Sequence, residues 1–414
     1  MKFLTLLLVA VLGIPPYGPA LEMLREDPDR SGVNTHVYEF RPEHDTPAPK
    51  GYKPFYLLHY GRHGSRNDMQ DKYYKELAEG LEEALEGGFL SPDGERLLDQ
   101  TRQVIEAYRD SPGHLTRRGE QEHRELARRM YARYKRIFAK GNNNIRVESS
   151  IVPRVLVSMA SFTGELTRLQ PDLQYTIDSD EKIFNYINNS STKEHSKAAY
   201  RMVDSLEAGT VLDSVQIYRR LFTDPARGKR IFPDADRFQK NIWLTAKIAK
   251  ACDIDGSPYE FLSEEVIYNC WARTLCSIYL RQCNSVEFGA WRREQTRPLV
   301  EVVFDRADEA LTEGTVAADL LFGHDYPLLG LACWFRLDGV GDTLRLEEIT
   351  DKWYDPTNIP LASNMQMVFY RSRKQDAPVL VKFVYNGRER AVGGLTPVSG
   401  PYYQWEDVAD AYKP

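Results

Sequence analysis

Residues 57–66 read Leu57-Leu58-His59-Tyr60-Gly61-Arg62-His63-Gly64-Ser65-Arg66, an apolar run typical of a strand that ends abruptly in a basic loop. Two arginines flank a histidine in this loop. An arginine side chain presents a planar fork of donors that matches the oxygens of a phosphate. A neutral imidazole nitrogen can attack phosphorus once positive charge has offset the repulsion. The loop therefore predicts a dianion site in which Arg62 and Arg66 bind and His63 attacks.

Gly61 and Gly64 lie in the same loop. Glycine lets the backbone turn tightly and leaves room for a ligand to approach, so we expect both glycines to serve the anion site. A motif of this length also recurs by chance. Without further support it would indicate only a strand followed by a basic turn.

A third arginine opens a helix farther along the chain. Residues 145–148 predict a short strand, and residues 155–169 repeat apolar side chains at helical spacing. Pro153 suits the first position of that helix. Arg154 then lies in the first turn, where free N–H groups and the helix dipole already favour an anion. A cation is out of place there, which indicates either an exposed arginine at a helix start or a third phosphate-binding arginine.

A further strand pattern, at residues 316–322, ends in Gly323-His324-Asp325-Tyr326-Pro327 and precedes a predicted helix. Ligands of open α/β sheets bind beyond the carboxyl ends of the strands, so three such ends predict one common site. Both polar residues have a structural alternative. Asp325 fits a helix N-cap, and His324 could be a core histidine bonded to backbone.

The motif at residues 62–66 resembles the R-H-G-x-R signature of the histidine acid phosphatases, branch 2 of the histidine phosphatase superfamily. His324-Asp325 resembles the H-D dipeptide of that family, in the same context of strand, turn and helix. Leu115-Thr116-Arg117-Arg118-Gly119 is similar to its L-T-x-x-G element. The resemblance covers nearly the whole chain after residue 20, and between residues 170 and 298 it is architectural only.

This resemblance implies an α/β fold with a central, mostly parallel sheet flanked by helices, a phosphoglycerate-mutase-like core and an inserted, mainly helical domain. It implies hydrolysis of phosphate monoesters through a phosphohistidine on His63, with Asp325 as the proton donor. The implied phosphate-binding residues are Arg62, Arg66, Arg154 and His324. Because arginines supply the positive charge, we expect neither a metal ion nor a cofactor.

Phytate and lower inositol polyphosphates are the first substrates to expect, because bacterial phytases and multiple inositol polyphosphate phosphatase-like members resemble this chain most closely. Relatives that act on multiple inositol polyphosphates often carry H-A-E where this chain has His324-Asp325-Tyr326. A broad-specificity acid phosphatase is therefore an alternative. A non-catalytic phosphate-ester-binding protein of the same fold is another, although the intact His63 and Asp325 argue against it.

Residues 1–20 predict a secretory signal peptide. A lysine at position 2 precedes the apolar residues 3–14, and Gly18-Pro19-Ala20 offers small residues for cleavage. A buried N-terminal helix is the alternative, but Pro15-Pro16 would break it. We therefore expect export to the periplasm or the medium. No later apolar run is long enough to span a membrane, so no membrane anchor is expected.

The domain organisation follows from composition and pattern. We expect a discontinuous catalytic core at residues 21–169 and 299–414, with a helical insert at residues 170–298. Residues 21–52 predict a polar lead-in and residues 299–304 a strand. Helices are predicted in the insert at residues 193–207, 211–222, 235–252 and 264–279. Residues 365–392 predict an antiparallel meander with an Asn386-Gly387 turn.

The remaining composition limits the partners. A net charge of −6 argues against nucleic acid and favours a small-molecule phosphate ester as the partner. The basic clusters Arg227–Arg230 and Arg292-Arg293 are either solvated surface or part of a polyanion pocket. An odd number of cysteines leaves one thiol unpaired, and the pairing stays open, as does the oligomeric state. The cysteines are Cys252, Cys270, Cys276, Cys283 and Cys333.

Overall fold

A computed structural model of the protein describes residues 18–42, 44–109, 111–139, 143–188, 190–206, 215–374 and 376–414. Within these ranges eight strands form one sheet in the order β3-β2-β4-β1-β5-β6-β7, and β8 pairs with β6. The strands are β1 (Tyr52–Arg62), β2 (Asn144–Ser149), β3 (Gln174–Asp178), β4 (Ala318–Gly323), β5 (Asn364–Ser372), β6 (Leu380–Tyr385), β7 (Arg388–Arg390) and β8 (Tyr403–Gln404).

The sheet has a parallel half that positions three strand ends side by side. Strands β3, β2, β4 and β1 run parallel. Arg62 pairs with Gly323, and Ser149 pairs with Phe322. Every residue of β4 is buried, as expected for a parallel strand covered on both faces. The chains that follow β1, β2 and β4 therefore leave the same edge of the sheet next to one another.

The other half is antiparallel. Strands β5, β6, β7 and β8 form the predicted meander, and Asn386-Gly387 joins β6 to β7. Helices pack around this mixed sheet, which confirms the α/β fold class expected from the sequence.

The helices comprise most of the ordered chain outside the sheet. The α-helices are α1 (Pro19–Glu26), α2 (Lys72–Glu86), α3 (Pro92–Tyr108), α4 (Arg117–Tyr134), α5 (Pro153–Leu169), α6 (Glu181–Ile187), α7 (Lys193–Leu206), α8 (Val215–Leu221), α9 (Pro225–Ile231), α10 (Ala235–Ala249), α11 (Glu264–Gln282), α12 (Gly289–Glu313), α13 (Asp325–Trp334), α14 (Ile349–Lys352) and α15 (Trp405–Tyr412). Short 3₁₀ helices lie at Pro28–Thr35, Lys250–Cys252, Pro258–Phe261 and Leu346–Glu348.

The helices predicted at residues 193–207, 235–252 and 264–279 are confirmed by α7, α10 and α11. The helix predicted at residues 211–222 is present as α8, while residues 211–214 lie outside the described part of the chain. In the described residues, no helix has both the length and the apolar character needed to cross a membrane.

The strand predicted at residues 299–304 is wrong, because this segment lies inside helix α12. Its β-branched residues have the local preference of a strand. Their burial follows the helical period instead, since Val300, Val303 and Phe304 share one buried face with Ala307. Helix α12 thus crosses the predicted boundary between the helical insert, which was expected to end at residue 298, and the core. Strand β3 belongs to the main sheet although it lies within the range predicted as the insert.

The predicted polar lead-in is folded. Helix α1 buries Leu21 and Leu24 in the main core. Residues 28–36, which we call the N-terminal strap, then cross towards the edge of the sheet at which β1, β2 and β4 end. Residues 1–17 of the predicted signal peptide lie outside the described residues, and Ala20 is buried in α1.

Two buried histidines lie beneath the loop that follows β1. His59 stacks on Phe162 with ring centroids 5.0 Å apart, and neither of its ring nitrogens has a hydrogen-bond partner in the described chain. His123 of α4 packs against the same phenylalanine. Burial lowers the pKa of each of these histidines to about 3. Both imidazoles are therefore neutral in the folded protein well into the acidic range.

We expect the free energy of unfolding to fall as the pH drops from about 6.5 towards 3, because both histidines gain a proton on unfolding. Each histidine contributes about 1.4 kcal/mol per pH unit in that window. His59→Leu should remove the contribution of one histidine to this change of unfolding free energy with pH. Urea denaturation at several pH values measures it. Phe162→Leu is the control, since it should lower stability equally at every pH. An unchanged pH slope in His59→Leu would contradict the assignment.

Candidate active site

The three parallel strand ends bring the predicted residues into one pocket. His63 follows β1, and His324 follows β4, and their ring centroids are 5.7 Å apart at an interplanar angle of 72°. Arg62 Nη2 lies 3.4 Å from Asp325 Oδ2. All of these side chains except that of Arg62 come from loops or first helical turns, where the register of the sheet fixes their positions.

Arg154 joins them from the first turn of α5. Its positive charge lowers the pKa of both His63 and His324, which shows that its guanidinium faces the pocket. Burial, followed by the neighbouring charge of Arg66, lowers the pKa of Arg154 to about 10. The arginine therefore remains charged at neutral pH and is not an exposed residue at a helix start. The residues gathered in the pocket are Arg62, His63, Arg66, Arg154, His324 and Asp325.

The arginines keep buried donors without acceptors. Arg62 Nη1 donates to the carbonyl oxygens of Ile359 and Pro360, at 3.2 and 2.9 Å, and Arg66 Nη1 donates to that of Asn67 at 2.8 Å. The Nε–H groups of Arg62, Arg66 and Arg154 are buried and find no acceptor among the described residues. Buried donors of this kind are unfavourable unless an acceptor meets them. The pocket is thus suited to an oxyanion.

His63 is held as a neutral imidazole. Its Nδ1 lies 3.0 Å from the carbonyl oxygen of Gly64, which can only accept, so Nδ1 carries the proton and Nε2 keeps its lone pair. Burial is the main reason that the pKa of His63 lies well below its usual value, and the charges of Arg62 and Arg154 lower it further. The ring therefore stays unprotonated in mildly acidic solution.

Asp325 is ionised in this pocket. Burial alone would raise the pKa of Asp325, but the Arg62 charge and a hydrogen bond from Asn34 outweigh it and lower the pKa below its usual range. Helix α13 begins at Asp325, and the N-cap position is held by His324 without a side-chain capping bond. The N-cap alternative for Asp325 is therefore wrong.

His324 is a pocket residue and not a core histidine bonded to backbone. Its Nε2 lies 3.1 Å from the hydroxyl oxygen of Ser150, the residue that follows β2. Burial and the charge of Arg154 lower the pKa of His324, so that its imidazole is neutral.

Residues 61–218 match the family model of the histidine phosphatase superfamily (branch 2). The chain is therefore similar to this family over residues 61–218. The whole fold is similar to that of the multiple inositol polyphosphate phosphatase of Bifidobacterium longum, in complex with inositol hexasulfate, with a TM-score of 0.73 and 17% identity over 92% of this chain and 96% of that one.

Two phytases also share the fold of this chain. The D. castellii phytase has a TM-score of 0.67 and 14% identity, covering 94% of this chain and 85% of its own. The Citrobacter braakii phytase has a TM-score of 0.51 and 12% identity, covering 88% of this chain and 97% of its own. Curated protein sequences gave no significant match. The fold therefore agrees with the family match at residues 61–218.

Helices α4 and α5 hold the loop that follows β1. The buried carboxylate of Glu122 accepts the backbone N–H and the hydroxyl of Ser65, each at 2.7 Å. Ser158 accepts the N–H of Gly64 at 3.1 Å. These bonds fix the loop without using any of its charged side chains.

The glycines allow close packing around the loop. A Cβ on Gly64 would lie 2.5 Å from the carbonyl oxygen of Gly119, and one on Gly61 would lie 2.8 Å from Nε2 of His59. Contacts this short are not tolerated, so Gly64 allows the loop after β1 to touch the first turn of α4. Room for a ligand beside these glycines stays a prediction.

Sequence reasoning missed two polar residues at the rim of the pocket. Asn34 of the N-terminal strap donates to Asp325. Lys247 of α10 lies 3.9 Å from Asp68, whose carboxylate is 4.0 Å from Arg66, so α10 adds a further cation beside the catalytic loop. Neither residue belongs to a local pattern, and nothing in the sequence near them indicated the pocket.

The basic clusters of the insert have other contacts. Arg292 is buried and donates to the carbonyl oxygen of Tyr326 at 2.6 Å, and Arg227 lies over the ring of Phe89. Within the described ranges, no group of histidine, cysteine, aspartate and glutamate side chains is placed to hold a metal ion.

Proposed function

We propose that the chain is an exported phosphomonoesterase that hydrolyses phytate and lower inositol polyphosphates through a phosphohistidine intermediate. The observation that carries this proposal is the neutral imidazole of His63 in a pocket with three arginines and one ionised carboxyl group. An imidazole in that setting is a nucleophile for a phosphoryl group, whose charge the arginines offset.

In the first step, Arg62, Arg66 and Arg154 bind the non-bridging oxygens and hold phosphorus in line with Nε2 of His63. The Nε2–P bond forms as the bond from phosphorus to the ester oxygen breaks. Asp325 in its acid form gives its proton to the departing alkoxide. Because an alkoxide is a poor leaving group, that proton transfer contributes about 10²–10⁴-fold to the rate.

In the second step, water attacks the phosphorus atom of the phosphohistidine. The ionised carboxylate of Asp325 accepts a proton from the water, and the electron pair of the N–P bond returns to Nε2. Orthophosphate leaves and His63 is again neutral. His324 can donate a hydrogen bond to the phosphoryl oxygens in both steps.

Asp325 must first gain the proton that it gives to the alkoxide, because its carboxyl group is ionised before substrate binds. A phosphate monoester has a second pKa of about 6 and carries one proton below that pH. The ester monoanion therefore supplies the proton that Asp325 later donates. His63 remains neutral under the same conditions because its own pKa is lowered.

A substrate with more than one phosphate is supported by the similarity of the fold to the multiple inositol polyphosphate phosphatase and the phytases. Lys247 lies outside the set that binds the transferred group, and Asp68, 3.9 Å from it, partly offsets its charge. A broad-specificity acid phosphatase is the second candidate. It is favoured by His324-Asp325-Tyr326, which differs from the H-A-E of many inositol-polyphosphate-specific relatives. A phosphate-ester-binding protein without activity would need neither His63 nor Asp325.

Export is part of the proposal and rests on the signal-like residues 1–20. Cleavage after Ala20 would leave the buried residues Leu21 and Leu24 of α1 in the mature protein. The division into a core at residues 21–169 and 299–414 and an insert at residues 170–298 is likewise proposed.

We expect the protein to release inorganic phosphate from phytate faster than from glycerol phosphate. His63→Ala should lower kcat by roughly 10³-fold or more on both substrates, and Asp325→Asn by about 10²–10⁴-fold. His44→Ala, at an exposed histidine, is the matched control. Equal rates on the two substrates would favour the broad-specificity enzyme. Phosphate-ester binding without release would favour the binding protein.

We expect an acidic pH optimum. Above about pH 6 the ester loses the proton that Asp325 must donate, so kcat/KM should fall by about tenfold per pH unit. The low pKa of His63 should keep the nucleophile active on the acidic side of that limit. Initial rates measured across the pH range test both the fall above that pH and the activity that remains below it. A profile that rises steadily above neutrality would contradict this assignment of the proton donor.

We expect the native chain, expressed in a bacterial host, to appear outside the cytoplasm with a mass that lacks residues 1–20. Mass spectrometry of fractionated cells measures this. A variant without the apolar residues 3–14 is the control and should stay in the cytoplasm. Full-length protein confined to the cytoplasm would refute export.

A further inference from the structure

The carboxyl group of Asp325 is held by the N-terminal strap. Asn34 Nδ2 donates to Asp325 Oδ2 at 2.8 Å, across 291 residues of sequence. The other oxygen, Oδ1, accepts the backbone N–H of Tyr326 at 3.1 Å. An ionised carboxylate only accepts, so the amide nitrogen of Asn34 must face it, with the amide oxygen turned away. Both oxygens of the proposed proton donor therefore have an assigned partner.

The strap that carries Asn34 is itself fixed. Trp243 Nε1 donates to the buried hydroxyl of Ser31 at 2.9 Å. His36 Nδ1 is 2.6 Å from the carboxylate of Asp29, and the carbonyl oxygen of His36 accepts the N–H of Leu361 at 2.8 Å. These contacts lie on both sides of Asn34 along the chain. They do not involve Asp325.

The backbone next to Asn34 adopts an uncommon conformation. Val33 has φ 50° and ψ −99°, a region that a β-branched residue rarely enters. Such a conformation persists only where surrounding contacts hold it. The strap thus presents the Asn34 amide at a defined position.

We propose that Asn34 is a positioning residue that holds the carboxyl group of Asp325 in the orientation needed to protonate the leaving group. This inference rests on the proposed function. Arg62 alone holds the carboxyl loosely, since its Nη2 is 3.4 Å from Oδ2. Displacing a catalytic group by about 1 Å lowers the rate by about 10²-fold.

The direction of the Asn34 bond also matters for the proton. A donor cannot face the acidic hydrogen of a carboxyl group. With the Asn34 N–H on Oδ2, the proton of Asp325 is kept away from the strap side of the carboxyl. Arg62, Arg66 and Arg154, the arginines whose charges act on Asp325, carry only donors and cannot accept this proton.

The test is the dependence of the rate on the leaving group. An alkyl ester such as glycerol phosphate needs the proton from Asp325, whereas nitrophenyl phosphate has a good leaving group and needs it far less. Asn34→Ala should lower kcat/KM for glycerol phosphate by about tenfold or more, and for nitrophenyl phosphate by less than about threefold. Asn34→Asp, which is isosteric but has no N–H donor, should change the ratio in the same direction.

Two further variants separate positioning from a general structural role. In the Asp325→Asn background, Asn34→Ala should have no additional effect on either ester, because the two residues act as one unit. Ser91→Ala removes the side-chain bond that caps helix α3 and has no bond to the strap or to Asp325. It should lower the melting temperature and leave the ratio of the two esters unchanged.

The outcomes distinguish this inference from the proposed function. Equal losses on both esters in Asn34→Ala and Asn34→Asp, with Asp325→Asn selective for the alkyl ester, would overturn the role of Asn34 alone. A changed ratio in Ser91→Ala would also overturn it. A wild-type protein without phosphate release, or an Asp325→Asn variant without leaving-group dependence, would overturn the proposed function and the inference together.

Discussion

Mutual repulsion among Arg62, Arg66 and Arg154 is the constraint on which the pocket depends. Burial lowers the pKa of Arg62 and of Arg154, and the charge of Arg66 lowers both further, because little water remains to screen it. Like charges stay together only if other bonds hold them. The carbonyl oxygens of Ile359 and Pro360 hold Arg62, and the sheet register together with Glu122 holds the loop. The excess of positive charge that remains beside Asp325 favours an anion and helps to keep the imidazoles neutral.

Burial has opposite consequences for chemistry and for stability in this protein. It keeps His63 unprotonated in acid, as the proposed nucleophile must be. The same exclusion of water acts on His59 and His123, which have no part in the proposed reaction. The proposed activity in acidic solution would thus be built on a core that acid weakens. A pocket exposed at the surface would not keep the one effect without the other. Exposure to water would raise the pKa of His63 towards its usual value, and the imidazole would then be protonated in acid.

Local sequence was enough where a residue follows a strand at fixed spacing. This is why the six pocket residues could be named in advance, although their individual roles remain predictions. Asn34 and Lys247 reach the pocket through tertiary folding alone, and no neighbouring pattern marks them. Residues 299–304 were misread because local β preference favoured a strand, while packing of one face against the core selects a helix. Residues 21–52 look polar on average, yet three of them in α1 are buried, namely Leu21, Met23 and Leu24.

The order of strands in the sheet affects how the chain is made. In the described sheet, β1 lies between β4 and β5, which begin only at Ala318 and Asn364. During synthesis on the ribosome, both edges of β1 therefore remain unpaired until the residues before β4 have been translated. Unpaired edges of this length promote aggregation. Nascent chains shorter than about 318 residues cannot assemble the anion pocket, and a holding chaperone would protect them during this interval.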